Sequence, residues 1–308
     1  MPKVFMTGAS GCVGSYLVDL LAPDYELYLL VRNPGKLKFD PEKRKNITVI
    51  RGDMDSIGQQ AQLLQEMDYC IHVATAWGGE GTERINVDRV EEMFNLLNPA
   101  KVKRIIYFST ASILGRGNQL LPEAGEFGTE YIRTKYICYV NLPKCKLYDR
   151  LVTVFPTFVF GGDKTHPFPH FGADVAALRR ISWLIGRLNV PIKFHFIHAQ
   201  DIGKIVKYLM EQPEVERNYV MGNEPLTFGE FAKRLAHFFG HPLRWQMKVS
   251  PQGVLKLAKI LRVKMDAWSR FCAGYGDFVY EVVNCRLLGM KSDYDTVEKV
   301  LEDWKDKK

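Results

Sequence analysis

Residues 3–14 read KVFMTGASGCVG, and this stretch decides the fold class of the chain. A short apolar run over residues 3–7 ends in a cluster of glycines, and the apolar residues of 15–21 recur at helical spacing. The pattern predicts a strand, a glycine turn and a helix. Such a turn lets the backbone approach a pyrophosphate, to which the helix presents free N–H groups. We expect the following residues of this segment to bind a dinucleotide: Gly8, Ser10, Gly11, Cys12, Val13 and Gly14.

Apolar runs and helical patterns alternate downstream of this turn. The predicted strands cover residues 3–7, 26–31, 47–50, 69–73, 104–108 and 151–155, and the predicted helices cover 15–21, 59–67, 85–97 and 131–139. Near-continuous apolar strands that alternate with helices indicate a parallel sheet covered on both faces. With right-handed crossovers, this is a doubly wound α/β Rossmann sheet over residues 1–160.

The pattern changes after residue 160 and predicts a smaller, mostly helical substrate domain over residues 161–308, with 195–212 returning to the first domain. Short strands are expected at 195–198 and 218–221. One helix is predicted to begin after residue 201. Further helices are predicted at 228–239, 251–268 and 293–304. Residues 255–265 are apolar on one face and basic on the other. This pattern fits a packing helix, a helix that admits an apolar substrate, or peripheral contact with a membrane surface.

Composition narrows the class of protein. The chain has 308 residues, 46% hydrophobic and 25% charged, which is ordinary globular usage and excludes a disordered scaffold. No apolar run reaches about 18 residues, so we expect no membrane span, and the start predicts no signal peptide. Six cysteines without metal-ligand spacing predict reduced thiols in the cytoplasm and no metal site. The net charge of +7 is spread along the chain, which favours a small-molecule substrate and no nucleic acid; a homodimer stays open.

The T-G-x-x-G-x-x-G spacing of residues 7–14 resembles the extended short-chain dehydrogenase/reductase superfamily, the epimerase/dehydratase-like enzymes. Similar segments follow in the family's order over almost all of residues 1–305. They are RGDMD at 51–55, DYCIHVATA at 68–76, NV at 86–87, YFSTASILG at 107–115, FPTFVFG at 155–161 and HAQDI at 198–202. The resemblance implies a Rossmann fold and a nicotinamide cofactor.

The resemblance also implies further cofactor contacts beyond the glycine turn. Asp53 stands where the family has an aspartate that contacts the adenine amino group. The other contacts that it implies are Met54, Ala74, Thr75, Lys135, Pro156 and Phe158. Asn86 stands in the helix behind the active site, where it either binds backbone and a water of a proton relay or lies on the helix surface.

The end of the second strand indicates which dinucleotide binds. An NAD enzyme usually carries an acidic residue there to accept from the ribose 2′-hydroxyl. This strand ends at Arg32, whereas Asp24 precedes it at the wrong end. Arg32 can form charge-assisted hydrogen bonds to a 2′-phosphate, with Ser10 and Lys36 within reach. We therefore predict NADP(H); the alternative is a solvated arginine on a loop.

Tyr131 and Lys135 stand four residues apart, which puts them on one face of a helix. A free tyrosine has a pKa near 10, and a lysine cation beside it stabilises the phenolate. The resemblance implies that Tyr131 moves a proton and that Thr110 replaces the family's serine at the substrate oxygen. Ser109 and Ser112 remain alternatives to Thr110.

The histidines receive different interpretations. His72 lies in a predicted buried strand, and we expect a core residue with its hydrogen bonds satisfied. His166 and His170 flank prolines in the predicted substrate loop and are weaker candidates for substrate contact.

These observations predict an NADP(H)-dependent oxidoreductase that acts on a secondary alcohol or ketone of a small, apolar organic substrate. The alternatives are a nucleotide-sugar epimerase or dehydratase, and a non-catalytic NADP-sensing or nucleic-acid-binding relative. Relatives of the last kind commonly lose the Tyr/Lys pair, whereas this chain keeps Tyr131 and Lys135.

Overall fold

The computed structural model describes residues 1–169, 175–250, 253, 256, 259 and 265–304. The strands are β1 (Lys3–Thr7), β2 (Glu26–Val31), β3 (Ile47–Arg51), β4 (Tyr69–His72), β5 (Arg104–Phe108), β6 (Leu151–Pro156), β7 (Phe158–Phe160), β8 (Leu188–Asn189), β9 (Lys193–Phe194), β10 (Phe196–His198), β11 (Asn218–Met221), β12 (Leu226–Thr227) and β13 (Met247–Lys248). The helices are α1 (Cys12–Leu21), α2 (Ala61–Leu64), α3 (Arg89–Asn95), α4 (Pro122–Glu126), α5 (Glu130–Asn141), α6 (Val175–Ile185), α7 (Ala199–Glu211), α8 (Phe228–Phe238), α9 (Ala267–Tyr275) and α10 (Val297–Glu302). His170 and most of the predicted amphipathic helix at 255–265 lie outside the described residues.

The central sheet has seven parallel strands in the order β11-β6-β5-β4-β1-β2-β3. The order reverses between β1 and β4, which is the switch point at which doubly wound sheets bind ligands. The six strands predicted from residues 1–160 are all present and neighbour one another as a doubly wound fold requires. The predicted fold class is therefore confirmed.

Both faces of the sheet are buried, as the apolar runs predicted. Val4 and Met6 of β1 belong to one hydrophobic cluster, which includes Leu17 of α1, whereas Phe5 belongs to the opposite cluster with Phe94 of α3. Successive side chains of a strand point to opposite faces, so a strand covered on both sides has no polar alternation. This explains why the strands within residues 1–160 could be recognised from the sequence.

The chain returns to this sheet twice after residue 160. Helix α7 packs against α1 so closely that a Cβ on Gly203 would lie 2.5 Å from Leu20 Cδ1. Helix α7 lies within residues 195–212, which the sequence analysis expected to return to the first domain. Strand β11, which the sequence analysis assigned to the substrate domain, instead pairs with β6 as the seventh strand. That assignment is wrong because strand pairing depends on a partner far away in the sequence. Among the helices of the described residues, none is long and apolar enough to span a bilayer.

Candidate active site

The glycine turn joins β1 to α1 at the switch point. Gly8 has a φ of +82°, and a Cβ there would lie 2.7 Å from the backbone nitrogen of Ala74. A Cβ on Gly14 would overlap the carbonyl oxygen of Gly8. Glycine is therefore required at both positions, because the turn, the helix and the end of β4 approach each other at backbone distance.

The first turn of α1 is suited to phosphate. Its N-cap is Gly11, which offers no side-chain acceptor, and the turn contains no acidic residue. Ser10, Cys12 and Val13 are all partly exposed around it. Burial and the nearby Asp163 raise the pKa of the Cys12 thiol to about 12, so the thiol is uncharged at neutral pH and adds no repulsion toward an anion. The residues present thus fit the pyrophosphate of a dinucleotide.

The other predicted cofactor residues follow the carboxyl ends of neighbouring strands. Arg32 comes directly after β2; it is exposed and forms no ion pair with the residues that the structure describes. Asp24, at the opposite end of β2, is paired with Lys207. Asp53 follows β3, and its Oδ1 accepts a hydrogen bond from the Ser56 amide at 3.2 Å. The other carboxylate oxygen takes no part in this hydrogen bond. The strand register brings Arg32 and Asp53 to the edge that holds the glycine turn.

Asn86 is buried, so the interpretation as a helix-surface residue is wrong. It lies in a turn of π-helix, Arg84–Asp88, and clasps the segment that follows β4. Its Oδ1 accepts from the Ala76 amide at 2.8 Å and from the Thr75 hydroxyl at 3.2 Å. Its Nδ2 donates to the Ala76 carbonyl at 2.8 Å and to the Thr134 hydroxyl at 2.9 Å. These four bonds saturate the amide. Asn86 therefore positions the strand end, and a water relay through it has no free hydrogen-bonding site.

The structure brings Thr110 and Tyr131 together. Thr110 follows β5, and its Oγ1 accepts from the Ser112 amide at 3.3 Å. Burial raises the pKa of Tyr131 to about 12, and a hydrogen bond with the Thr110 hydroxyl acts in the opposite direction. The phenol is therefore protonated at neutral pH. Ser109 is also buried, but its hydroxyl has no hydrogen-bond partner within the described part of the chain, and Thr110 is the hydroxyl placed at Tyr131.

Lys135 lies one turn further along α5 and is almost completely buried. Its Nζ donates to the carbonyl oxygen of Phe108 at 2.7 Å and lies 4.9 Å from the centre of the Tyr107 ring. Burial lowers the pKa of Lys135 to about 8. The lysine shares a helix with Tyr131 as predicted, but the influences on the pKa of Tyr131 are burial and Thr110.

His72 is the satisfied core residue that the sequence predicted. Its Nδ1 is 2.8 Å from the Thr7 hydroxyl, which also accepts from the Ala74 amide at 3.2 Å. Burial, and then the charge of Lys135, lowers the pKa of His72 well below its usual value. The imidazole is therefore neutral and ties β1 to β4 beneath the glycine turn.

The loop after β4 contributes a side chain that the sequence analysis missed. Trp77 stacks on Tyr131, with ring centres 4.4 Å apart and planes inclined by 29°. The loop is fixed to α5 by Glu130, whose Oε2 accepts from the Gly79 amide at 2.9 Å. The available signal was a tryptophan followed by two glycines, Trp77-Gly78-Gly79, after the fourth predicted strand.

His166 contacts Asp19, Asp163 and Tyr16. Its Nδ1 lies 2.9 Å from Asp163 Oδ2, its Nε2 lies 3.0 Å from Asp19 Oδ2, and its ring stacks on Tyr16 at 3.7 Å. Both ring nitrogens have carboxylate partners, which makes His166 a weaker candidate for substrate contact than its place in the loop indicated. Burial acts to lower the pKa of His166, but its hydrogen bonds to the two carboxylates raise it above the usual value.

Two cofactor candidates lie at the end of β6. Pro156 ends the strand and is half-buried, and Phe158 of β7 is exposed, with its ring 5.3 Å from that of Phe160. No cluster of metal-ligating side chains occurs among the residues described. The glycine cradle, the exposed Arg32 and Asp53, and the Thr110–Tyr131–Lys135 group therefore converge on one edge of the sheet. The arrangement is that of a dinucleotide-dependent α/β enzyme.

The comparison with protein families agrees with this class. The model of the NAD dependent epimerase/dehydratase family matches residues 4–222. The chain belongs to this family, which confirms the predicted superfamily and its use of a nicotinamide dinucleotide. Among curated relatives, dihydroflavonol 4-reductase from Gerbera hybrida is 25% identical over 260 residues, which cover 75% of this chain and 70% of the relative.

Solved structures share the fold over the whole chain. The UDP-N-acetylglucosamine 4-epimerase from Methanobrevibacter ruminantium has a TM-score of 0.68 at 17% identity and covers 98% of each chain. The dTDP-glucose 4,6-dehydratase from Bacillus anthracis, in complex with NAD, has a TM-score of 0.67 at 12% identity, covering 100% of this chain and 98% of that one. At these identities the likeness shows the fold alone.

Proposed function

We propose that this protein is an NADP(H)-dependent reductase of a ketone on a small, apolar organic substrate. The observation that carries the proposal is the half-buried side chain of Tyr131, whose phenol hydrogen-bonds with the Thr110 hydroxyl on the sheet edge that holds the glycine turn. A nicotinamide bound at this edge would supply the hydride that reduces the carbonyl carbon. The protein's own residues then handle the oxygen and its proton.

Thr110 and Tyr131 have complementary roles at the substrate oxygen. Negative charge develops on that oxygen as the carbonyl is reduced, and hydrogen-bond donors aimed at it stabilise the transition state. The Thr110 hydroxyl holds the oxygen, and Tyr131 donates the proton that completes the alcohol. A pKa of about 12 keeps the phenol protonated at neutral pH, which suits the proton donor of a reduction.

Lys135 supplies positive charge beneath the site. Its ammonium hydrogen-bonds a carbonyl oxygen, which leaves the charge without a carboxylate partner in the residues described. An ammonium of this kind can bind ribose hydroxyls and stabilise negative charge at the Tyr131 oxygen after the proton has left. Because burial lowers the pKa of Lys135 to about 8, this charge is lost at moderately alkaline pH.

Arg32 supports NADP(H) as the preferred dinucleotide. It is exposed at the end of β2, without an ion-pair partner among the described residues, and Asp24 is engaged by Lys207 elsewhere. A guanidinium in this place suits a 2′-phosphate, which a 2′-hydroxyl cannot replace. The likeness to dihydroflavonol 4-reductase supports a reductase, and the six free thiols support the cytoplasm as its location.

The test follows NADPH oxidation by absorbance with a panel of aromatic and aliphatic ketones. In parallel, UDP-N-acetylglucosamine is tested for epimerisation with NAD, because an epimerase is among the similar structures. We expect ketone-dependent oxidation of NADPH and no epimerisation. Epimerisation without ketone reduction would contradict the proposal.

A further inference from the structure

The loop of residues 76–82 places an indole beside the proposed proton donor. The rings of Trp77 and Tyr131 are 4.4 Å apart at 29°, an offset stack of the kind that aromatic side chains favour. Trp77 is nevertheless 56% exposed. The indole therefore stacks on the Tyr131 ring and also presents aromatic surface to solvent.

This loop is held by specific contacts. Asn86 clasps the backbone of Ala76 through both its oxygen and its nitrogen at 2.8 Å. The Gly79 amide donates to Glu130 at 2.9 Å, and the Thr82 hydroxyl donates to the Gly79 carbonyl at 2.7 Å. Within this loop, Gly78, Gly79 and Gly81 have positive φ. The loop therefore presents Trp77 in a fixed place.

The other side of Tyr131 is apolar as well. Tyr131 packs against a hydrophobic cluster that includes Ile132, Trp268 and Tyr280, with Phe271 packed beside them. Ring stacking and apolar contact are thus the chemistry offered to whatever part of a substrate adjoins the carbonyl. A flat ring fits an indole face, whereas a puckered saturated ring contacts it at few atoms.

We propose that Trp77 is a specificity-determining residue of the reductase site, a proposal that rests on the function given above. The exposed part of its indole is the platform on which a planar aromatic ketone stacks while the carbonyl oxygen lies at Thr110 and Tyr131. The site therefore selects aromatic ketones over saturated ketones of the same carbon skeleton.

The experiment compares α-tetralone with its ring-saturated counterpart, decalone, by kcat/KM with saturating NADPH. Trp77→Ala is expected to lower the tetralone-to-decalone ratio about 5- to 10-fold, mainly through the KM for tetralone, because one aromatic stack is lost. Trp77→Phe, which keeps a flat ring, restores most of the ratio. Trp245→Ala removes another exposed tryptophan and keeps the wild-type ratio. An unchanged ratio in Trp77→Ala, with tetralone still reduced, would overturn the role of Trp77 and leave the reductase intact.

A second measurement keeps the two proposals separate. If the wild-type protein reduces neither ketone, the reductase proposal fails for this substrate class. Binding then tests Trp77 by calorimetry, with β-naphthol and its saturated counterpart decalol added to the NADPH-saturated protein. Tighter binding of β-naphthol that is lost in Trp77→Ala supports the platform, and equal binding by both proteins overturns it. A melting temperature for each variant shows that the variant is folded.

Discussion

Lys135, which is buried, and His166, which is half-buried, are two basic groups whose pKa values shift in opposite directions. Lys135 has a carbonyl oxygen as its partner, and burial lowers its pKa to about 8. His166 lies between the carboxylates of Asp19 and Asp163, and these raise its pKa despite burial. A charge that is kept without a counter-ion is available to a ligand, whereas a charge held between two carboxylates is used by the fold. The environments of these two charges therefore distinguish two regions: the candidate active site around Lys135 and the ion-paired contact around His166.

The two regions also differ in what they connect. Lys135 lies within α5 beneath the ends of β4 and β5, where Thr110, Tyr131 and the glycine turn converge. His166 connects Asp19 of α1 to the loop that follows β7, across 147 residues of sequence, and it stacks on Tyr16. We therefore expect changes at the first region to affect rate and cofactor binding, and changes at the second to affect stability.

The largest effect is expected from Tyr131→Phe, which keeps the ring and removes the proton donor. Turnover of a ketone substrate should fall by about 10² to 10⁴, with NADPH affinity nearly unchanged. Steady-state kinetics and a fluorescence titration of NADPH measure both. Tyr136→Phe on the same helix is the matched control and should keep wild-type turnover. Wild-type turnover in Tyr131→Phe would show that the proton comes from elsewhere.

Lys135→Met should have the next largest effect, because it removes the buried charge and retains a side chain of similar length. We expect kcat to fall about 10- to 100-fold and NADPH affinity to weaken as well. The loss of affinity distinguishes this variant from Tyr131→Phe. If Lys135→Met keeps the wild-type kcat and the wild-type affinity for NADPH, the role of Lys135 is structural, as it is for His166.

Arg32→Ala should weaken NADPH binding at least ~10-fold, since a charge-assisted contact to a phosphate contributes about 1.5–3 kcal/mol. NADH affinity should change little, and the wild-type protein should bind NADPH at least ~10-fold tighter than NADH. Fluorescence titrations of both dinucleotides measure this, with Lys233→Ala, a distant exposed cation, as the control. Equal affinities of the wild-type protein for the two dinucleotides would refute the NADP(H) assignment.

His166→Gln should give the smallest effect, about 1 kcal/mol of unfolding free energy after allowance for partial solvent screening. The pKa of His166 is raised in the folded state, so its stabilisation is fully present below the unfolded value of about 6.5. It is lost as pH rises through the folded pKa. Urea unfolding at pH 6 and pH 9 should therefore show a difference from wild type mainly at pH 6. The exposed His237→Gln should show none, and a deficit of His166→Gln that is equal at both pH values would refute the ion-pair role.

The fold was predictable where the signal is local. The pattern of residues 3–14 predicts a strand, a turn and a helix within one short segment. The glycines at positions 8 and 14 are required by close backbone contacts within and beside the turn. The buried strands of residues 1–160 could be recognised because both of their faces are apolar. Strand β11 was recognised as a strand, but its place beside β6 could not be, because pairing is set by a partner far away in the chain.

The site was predictable to the same extent. Tyr131 and Lys135 are four residues apart, so their shared helix face follows from spacing alone. The stack of Trp77 on Tyr131 joins a loop to a helix more than fifty residues later, and no periodic pattern marks it. The same holds for His166, whose partner Asp19 lies on α1. Sequence spacing therefore placed Tyr131 and Lys135 on one helix, and the structure added the side chains that surround them.

The most direct test of the contrast between Lys135 and His166 is the pH dependence of kcat for ketone reduction. Tyr131, with a pKa of about 12, stays protonated throughout the accessible range, whereas Lys135 loses its proton at about 8. We expect kcat to be constant from about pH 6 to 7.5 and then to fall about tenfold per pH unit above pH 8, because the ammonium disappears. Lys135→Arg, which stays charged, should show no such fall up to about pH 9.5. A wild-type kcat that is flat to pH 9.5, or the same fall in Lys135→Arg, would contradict the account.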